Sequence, residues 1–281
     1  MLGIFDSGFG GLTILKGILK ELPEYDFMYL GDNARVPYGG RSPETVLGFS
    51  KEAVDFLFGR KCELIIFACN TASAQALREI QQKYLPQKYP GKNVLGVIRP
   101  TVEEAAKITK NKRIGVLATE GTVASESFVK ELARQDKKIK VFQQAAPLLV
   151  PIVEAGEVGW RGTDLILNKY LKPLLGKRID TLILGCTHYP VLKGKIRKIV
   201  GKNVKVVSQD EIIGRKLREY LGRHFEYEKK LSKKGQRIFY TTDYSPRFAR
   251  LAKLFLGEEA EIEKVIFPAL VRGKNKKLPT V

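Results

Sequence analysis

Residues 64–71 read Leu-Ile-Ile-Phe-Ala-Cys-Asn-Thr, and residues 182–188 read Leu-Ile-Leu-Gly-Cys-Thr-His. In each stretch a short apolar run stops at a cysteine, Cys69 or Cys186, and small polar residues follow before a helical pattern. This order predicts a strand, a turn and a helix, which places the cysteine beside the backbone N–H groups of a helix start. Two such turns in the two halves of one chain suggest two thiols that act on one substrate from opposite sides.

Strand-like apolar runs alternate with helical patterns along the whole chain. Ser42 and Pro43, for example, predict the cap and first residue of a helix that runs to about Phe58, and residues 94–98 read as a strand. The alternation predicts an α/β fold whose parallel sheets are covered on both faces. Right-handed crossovers bring the carboxyl ends of the strands to one edge, so we expect the loops there to line a cleft between two domains. Those loops lie at residues 6–8, 31–33, 69–71, 119–122 and 186–188.

The composition is that of a globular protein of two domains, with 281 residues, 44% hydrophobic and 28% charged. No apolar run approaches the roughly 20 residues of a membrane span, and the N-terminus lacks the features of a signal peptide, so we expect a cytoplasmic protein without a membrane partner. Three cysteines are an odd number, which favours free thiols. The chain has no C-x-x-C pair, and we expect no metal.

The net charge of +19 raises the question of a nucleic-acid partner. Much of the excess lies in two tracts, residues 229–234 and 272–277. No zinc-finger spacing, aromatic RNA-binding signature or basic zipper accompanies them. The favoured interpretation is a solvated basic surface, with no specific nucleic-acid partner and at most weak binding to polyanions at low salt.

The stretch Asp6–Gly11 looks like a nucleotide loop but does not fit one. A G-x-G-x-x-G loop would need glycine at position 13, which is Thr13, and the lysine of a P-loop is missing. One interpretation is a tight turn that needs glycine. We favour another, in which Asp6 and Ser7 contact a substrate amine or assist a base, because an acid at a strand end is otherwise poorly placed.

The three cysteines differ in their sequence surroundings. Cys62 reads as a buried small hydrophobe, whereas helix starts are expected to lower the pKa of Cys69 and Cys186 and raise their nucleophilicity or basicity. His188 follows Cys186 by two positions and is predicted either to tune that thiol, to protonate a substrate carboxylate, or to serve a structural role. His224 reads as a surface residue.

Two further segments are open to more than one interpretation. Glu154 follows an apolar stretch and, by sequence alone, reads as an ordinary helix-start carboxylate. Residues Tyr38-Gly39-Gly40 follow Pro37 and read as a turn that supplies backbone N–H groups.

Taken together, these motifs resemble the cofactor-independent aspartate/glutamate racemase family, and within it the glutamate racemases, over nearly the whole chain. The motifs are Phe-Asp-Ser-Gly at 5–8, Gly-Asp at 31–32, Arg-Val-Pro-Tyr-Gly at 35–39, Ala-Cys-Asn-Thr-Ala-Ser-Ala at 68–74, Gly-Val-Ile at 96–98 and Gly-Cys-Thr-His-Tyr-Pro at 185–190. Aspartate racemases usually carry histidine after the Asn-Thr-Ala turn; Ser73 stands there and favours glutamate. Arg99 precedes Pro100, at a position where the family commonly has an acid. We expect Arg99 to lie at the domain hinge or interface and to take no part in catalysis.

The resemblance implies two flavodoxin-like domains related by a pseudo-twofold axis, with the active site in the cleft between them. The domains are expected at residues 1–97 plus 208–270 and at 98–207, followed by a basic tail at 271–281 that the resemblance does not explain. It further implies that the protein is a homodimer, that it needs no cofactor, and that it supplies D-glutamate for peptidoglycan synthesis.

The resemblance also assigns the site. Cys69 and Cys186 are implied as the two bases, with Asp6, Glu154 and His188 assisting. The positions that match substrate-binding residues are Asp6, Ser7, Tyr38, Gly39, Asn70, Thr71, Thr119, Thr122 and Thr187.

The predicted reaction interconverts L- and D-glutamate: one thiolate removes the α-proton while the opposite thiol delivers a proton to the other face. The main alternative is a hydrolase or amidase with Cys69 as its nucleophile and His188 as its base, which would tolerate loss of Cys186. A third alternative, suggested only by the charge, is a noncatalytic protein that binds polyanions.

Overall fold

The computed structural model of the protein describes residues 1–244, 246–256 and 261–267, without the side chains of 246–250. The strands are β1 (Leu2–Asp6), β2 (Phe27–Gly31), β3 (Leu64–Phe67), β4 (Asn93–Gly96), β5 (Arg113–Ala118), β6 (Lys140–Ala145), β7 (Thr181–Gly185), β8 (Lys205–Ser208), β9 (Arg237–Thr241) and β10 (Ile262–Lys264). The α-helices are α1 (Gly11–Glu21), α2 (Pro43–Gly59), α3 (Asn70–Gln75), α4 (Leu77–Glu79), α5 (Leu85–Lys88), α6 (Ile98–Ile108), α7 (Glu120–Ala124), α8 (Ser127–Gln135), α9 (Leu149–Ala155), α10 (Arg161–Leu175), α11 (Lys193–Val200), α12 (Ile213–Arg223), α13 (Phe225–Glu228) and α14 (Pro246–Leu256).

The strands form two parallel sheets, which confirms the predicted α/β fold. The six-stranded sheet has the order β10-β9-β2-β1-β3-β4, and the four-stranded sheet has the order β6-β5-β7-β8. The first four strands of each sheet therefore share the order 2-1-3-4, as the predicted pseudo-twofold relation requires. In this order the crossovers reverse direction between the first and third strands, which is where open α/β sheets bind ligands.

The domain bounds drawn from the sequence stay a prediction. Strands of the six-stranded sheet come from residues 2–96 and 237–264, and those of the four-stranded sheet from residues 113–208. The basic tail predicted at 271–281 lies outside the described residues. Within the described part of the chain, no helix has the length and apolar character needed to span a membrane.

Local chemistry explains where α2 begins. Ser42 has extended backbone angles and its Oγ accepts a hydrogen bond of 3.3 Å from the backbone N–H of Thr45, while Pro43 occupies the first helical position, where no N–H partner is needed. The helix buries Val46, Val54 and other apolar residues in the same core cluster as β3 residues. This helix was predicted correctly.

One sequence-based prediction of secondary structure was wrong, and the structure adds detail to two other elements. The strand expected at 94–98 ends at Gly96, because its neighbour β3 ends at Phe67, the partner of Gly96, and Ile98 begins α6. The helical segment from Leu77 to Lys88 is divided by a π-helical turn at Ile80–Tyr84. Strand β6 extends over Lys140–Ala145 because all six residues pair with β5.

Candidate active site

The residues predicted to carry chemistry lie at the carboxyl ends of equivalent strands. Asp6 ends β1 and Cys69 follows β3, while Thr119 follows β5 and Cys186 follows β7. The first and third strands of each sheet are neighbours, so each sheet brings two of these turns together. The two sets meet where Thr187, next to Cys186, donates a hydrogen bond of 3.4 Å to Asp6 Oδ1.

Cys69 caps the N-terminus of α3. Its sulfur accepts the N–H of Ala72 at 3.5 Å, and its thiol donates to the hydroxyl of Ser7 at 3.4 Å. Burial and the carboxylate of Asp6 raise the pKa of Cys69 to about 12, against the opposing effect of these two hydrogen bonds. The expectation that a helix start lowers the pKa of this thiol was therefore wrong, because desolvation of the thiolate outweighs the helix N-terminus. At neutral pH Cys69 is therefore a protonated thiol.

Cys186 has a different surrounding. Its sulfur lies 3.9 Å from Nδ1 of His188, and Nε2 of the same ring lies 3.1 Å from Oε1 of Glu154. Burial opposes a charge on His188, but its contacts with Cys186 and Glu154 prevail and raise its pKa to about 10. At neutral pH the ring is an imidazolium that links an acid to a thiol. The ring of Phe255 in α14 packs against this imidazole in a T-shaped arrangement, with centroids 5.5 Å apart.

Asp6 is fully buried between the two cysteine turns. Burial raises the pKa of its carboxyl, while the positive charge of His188 and the backbone N–H of Gly8, at 3.0 Å, act to lower it. The carboxylate is placed to pair with a cation that enters the site, since a buried charge is stabilised chiefly by an opposite charge and hydrogen bonds.

The two thiols are near enough to interact. A charge on Cys186 raises the pKa of Cys69, and both side chains are almost completely buried, with 5% and 6% of their surfaces exposed. The charge state of Cys186 therefore influences Cys69.

Three threonine hydroxyls join the turns after β3 and β5. Thr71 Oγ1 lies 3.0 Å from Thr119 Oγ1 and 3.4 Å from Thr122 Oγ1, and Thr119 donates to Thr122 at 2.9 Å. Beside them the N–H of Gly121 donates to the carbonyl of Gly39 at 2.7 Å. These contacts close one side of the site, and a cavity of about 500 Å³ lies next to them, lined by residues that include Gly39, Gly121 and Arg41.

Asp32 holds the loop that carries Tyr38 and Gly39. Its fully buried carboxylate accepts hydrogen bonds from the hydroxyl of Tyr38 (2.5 Å), Nε of Arg35 (2.7 Å) and the hydroxyl of Thr242 (2.7 Å). The turn at Tyr38 was predicted, but this anchor was not. The signal in the sequence was an acid directly after β2, at the same edge as Asp6.

Asn70 pairs through its side-chain amide with that of Gln209, which follows β8. Nothing in the sequence pointed to Gln209.

Arg99 lies outside the site, as expected, on the exposed face of α6 with Glu103 at 3.6 Å. Ser73 donates its hydroxyl to the carbonyl of Phe67 at 3.0 Å. Within the described residues, no group of three or more His, Cys, Asp or Glu side chains is arranged to hold a metal ion.

The sequence and structure of this chain are similar to those of known racemases. The family model for Asp/Glu/hydantoin racemases matches residues 12–211. The chain is 43% identical to the glutamate racemase of Geobacter metallireducens over 257 residues, which cover 91% of this chain and 92% of that one. A glutamate racemase isoform from Bacillus anthracis has a similar structure, with a TM-score of 0.86, 35% identity and coverage of 95% and 98%. A glutamate racemase from Francisella tularensis solved in complex with D-glutamate has a TM-score of 0.85, 32% identity and coverage of 95% and 98%.

Proposed function

The chain belongs to the Asp/Glu/hydantoin racemase family, and on that basis we propose that it interconverts L- and D-glutamate by proton transfer between two thiols. The observation that carries the mechanism is the pair of cysteine turns: Cys69 and Cys186 follow equivalent strands of two sheets, and each is buried within electrostatic reach of the other. Racemisation needs a base and an acid on opposite faces of one carbon, and two thiols can exchange these roles.

In the resting enzyme the two sulfurs have different tasks. Cys69 carries its proton, because burial and Asp6 raise its pKa to about 12. Cys186 faces the imidazolium of His188, whose Nδ1 lies 3.9 Å from the sulfur, and we assign it the role of the first base. Cys186 then removes the α-proton of the first substrate and Cys69 delivers a proton to the opposite face. The product leaves an enzyme with the roles reversed, which is the form that acts on the other enantiomer.

The carbanionic intermediate needs stabilisation, because the α-proton of an amino acid is only weakly acidic. His188 can supply it, since an imidazolium held by Glu154 is a charged donor close to the reacting sulfur. Asp6, fully buried, pairs with the substrate ammonium. The threonine hydroxyls and the N-termini of α3 and α7 suit the two carboxylates, as helix N-termini bind anions without lysine.

The proposal extends to the setting of the enzyme. We infer that it acts in the cytoplasm as a homodimer and supplies D-glutamate for peptidoglycan, and that residues 1–97 plus 208–270 and 98–207 form its two domains. These points are supported by the family resemblance, and the distribution of strands between the two sheets supports the last of them.

Circular dichroism tests the reaction directly. Purified protein is incubated with L-glutamate and, separately, with D-glutamate, with no cofactor added. Both ellipticities should decay to zero as each solution becomes racemic. A stable signal in either solution would refute the proposed function. Release of ammonia from an amide such as L-glutamine, in a separate incubation, would indicate the amidase alternative.

A further inference from the structure

Next to Cys69 lies a chain of buried polar groups that joins the two sheets. Asn70 follows β3 of the six-stranded sheet, while Gln209 follows β8 of the four-stranded sheet and Thr101 lies in α6. The three side chains are almost completely buried, with exposed fractions of 2%, 1% and 0% respectively. Buried polar groups are costly unless they are hydrogen-bonded, so their donors and acceptors must match.

Asn70 and Gln209 bind each other twice. Nδ2 of Asn70 donates to Oε1 of Gln209 at 2.8 Å, and Nε2 of Gln209 donates to Oδ1 of Asn70 at 2.8 Å. An isolated pair of this kind has no preferred polarity. Exchanging nitrogen and oxygen in both amides at once would preserve both hydrogen bonds.

Thr101 removes this ambiguity. Its hydroxyl donates its only hydrogen to the carbonyl of Val97 at 2.6 Å, so its oxygen is left to accept, and Nε2 of Gln209 lies 3.2 Å away as the donor. The nitrogen of Gln209 must therefore face Thr101. It follows that Oδ1 of Asn70 is occupied by Gln209 and that Nδ2 of Asn70 keeps one N–H beyond the pair.

We propose that Gln209 is a positioning residue that sets the polarity of the Asn70 amide, so that Asn70 offers an N–H rather than a carbonyl to a substrate carboxylate. This inference rests on the proposed function. A carboxylate only accepts hydrogen bonds, so a reversed amide would change an attraction into a repulsion. The orientation is transmitted from the carbonyl of Val97 through Thr101 and Gln209 to the residue beside Cys69.

Gln209→Glu tests the polarity by its dependence on pH. The ionised carboxylate has no hydrogen to donate to Oδ1 of Asn70, whereas the protonated acid has one. Burial raises the pKa of such a glutamate, so both forms fall within a workable range. At about pH 9 we expect KM for L-glutamate to exceed the wild-type value by about tenfold, with a much smaller change in kcat, and at about pH 6 we expect this ratio to fall toward one.

The matched control is Gln82→Glu, which adds the same charge at an exposed position and should keep the wild-type KM at every pH. Gln209→Met should raise KM by a factor that does not depend on pH. A ratio for Gln209→Glu that stays at one, or that stays high and flat across this range, would overturn the proposal.

A measurement on the unaltered enzyme covers the case in which these variants fail to fold. In ¹⁵N spectra the side-chain NH₂ signals of Asn70 and Gln209 should exchange slowly with solvent, and saturation with racemic glutamate should shift the Asn70 signal. An Asn70 signal that does not respond to glutamate would refute the inference, even for an enzyme that racemises. If the unaltered enzyme does not racemise glutamate, the proposed function is refuted. The exchange measurement still reports on the amide pair in that case.

Discussion

Glu154 Oε1 lies 3.1 Å from Nε2 of His188, at the opposite ring nitrogen from the one that faces Cys186. This contact is one of those that hold the pKa of His188 at about 10. Removing the carboxylate charge should lower that pKa, so the imidazolium should lose its proton at a lower pH. For Glu154→Gln we expect the alkaline limb of the kcat profile to move down by about one pH unit or more. Glu157→Gln, at an exposed position nearby, should leave the profile unchanged; an equal shift in both variants would contradict the assignment.

Loss of either sulfur base should stop racemisation. Cys69→Ser and Cys186→Ser each replace a thiol by a hydroxyl that is far harder to ionise, and we expect kcat to fall by at least about a thousandfold, measured by polarimetry. Each variant keeps one functional thiol and should still eliminate halide from a β-halogenated analogue of one hand only. Cys62→Ala is the control, because Cys62 is buried beside Met28, away from these turns. Full racemase activity of either serine variant would instead overturn the two-base scheme.

The two thiols should differ in their rate of alkylation at neutral pH. Their exposed fractions are nearly equal, 5% for Cys69 and 6% for Cys186, so access does not separate them. Cys69 has a pKa of about 12 and an acid nearby, whereas Cys186 faces the imidazolium of His188. Iodoacetamide followed by peptide mass spectrometry should therefore find Cys186 modified first, since the thiolate is the reactive form. Preferential labelling of Cys69 would refute the resting state described above.

Two identical substitutions should have opposite results. A Cβ atom at Gly10 would overlap Oγ1 of Thr187 and lie 2.6 Å from Nδ1 of His188, so Gly10→Ala must displace the imidazole. We expect kcat/KM to fall by about a hundredfold or more, because positioning errors of an ångström are costly. At Gly48, in the middle of α2, a Cβ would meet nothing within 4 Å. Gly48→Ala should keep full activity and raise the free energy of unfolding by up to about 1 kcal/mol in urea titrations.

The periodicity of the chain was sufficient to predict the layout of the fold. Apolar runs that stop at Cys69 and Cys186 gave strand ends correctly, because parallel strands buried on both faces are short continuous apolar segments. The edge strand β10 was missed: only three residues pair with β9, and they read Ile-Glu-Lys. A short edge strand with two charged residues carries almost no pattern.

The site was partly predictable for a related reason. Side chains at strand ends could be grouped because topology brings those ends together. Glu154 lies in α9 rather than at a strand end, and Gln209, although it follows β8, was not recognised. The role of each depends on a hydrogen bond to a residue far along the chain, His188 in one case and Asn70 in the other. Such long-range pairs cannot be predicted from the local sequence. The pKa of Cys69 likewise depends on burial, which exists only in the folded chain.

The order of strands in the larger sheet has a consequence for synthesis on the ribosome. β9 covers the edge of β2, yet it is translated after the whole four-stranded sheet. Until residues 237–242 emerge, the nascent chain has an open strand edge, and Asp32 lacks the hydroxyl of Thr242. The loop that carries Tyr38 and Gly39 thus receives its last anchor late in translation, so a chain interrupted before that point should contain both cysteines but bind glutamate poorly. Ribosome-stalled chains of graded length would show this as a late gain of ligand binding.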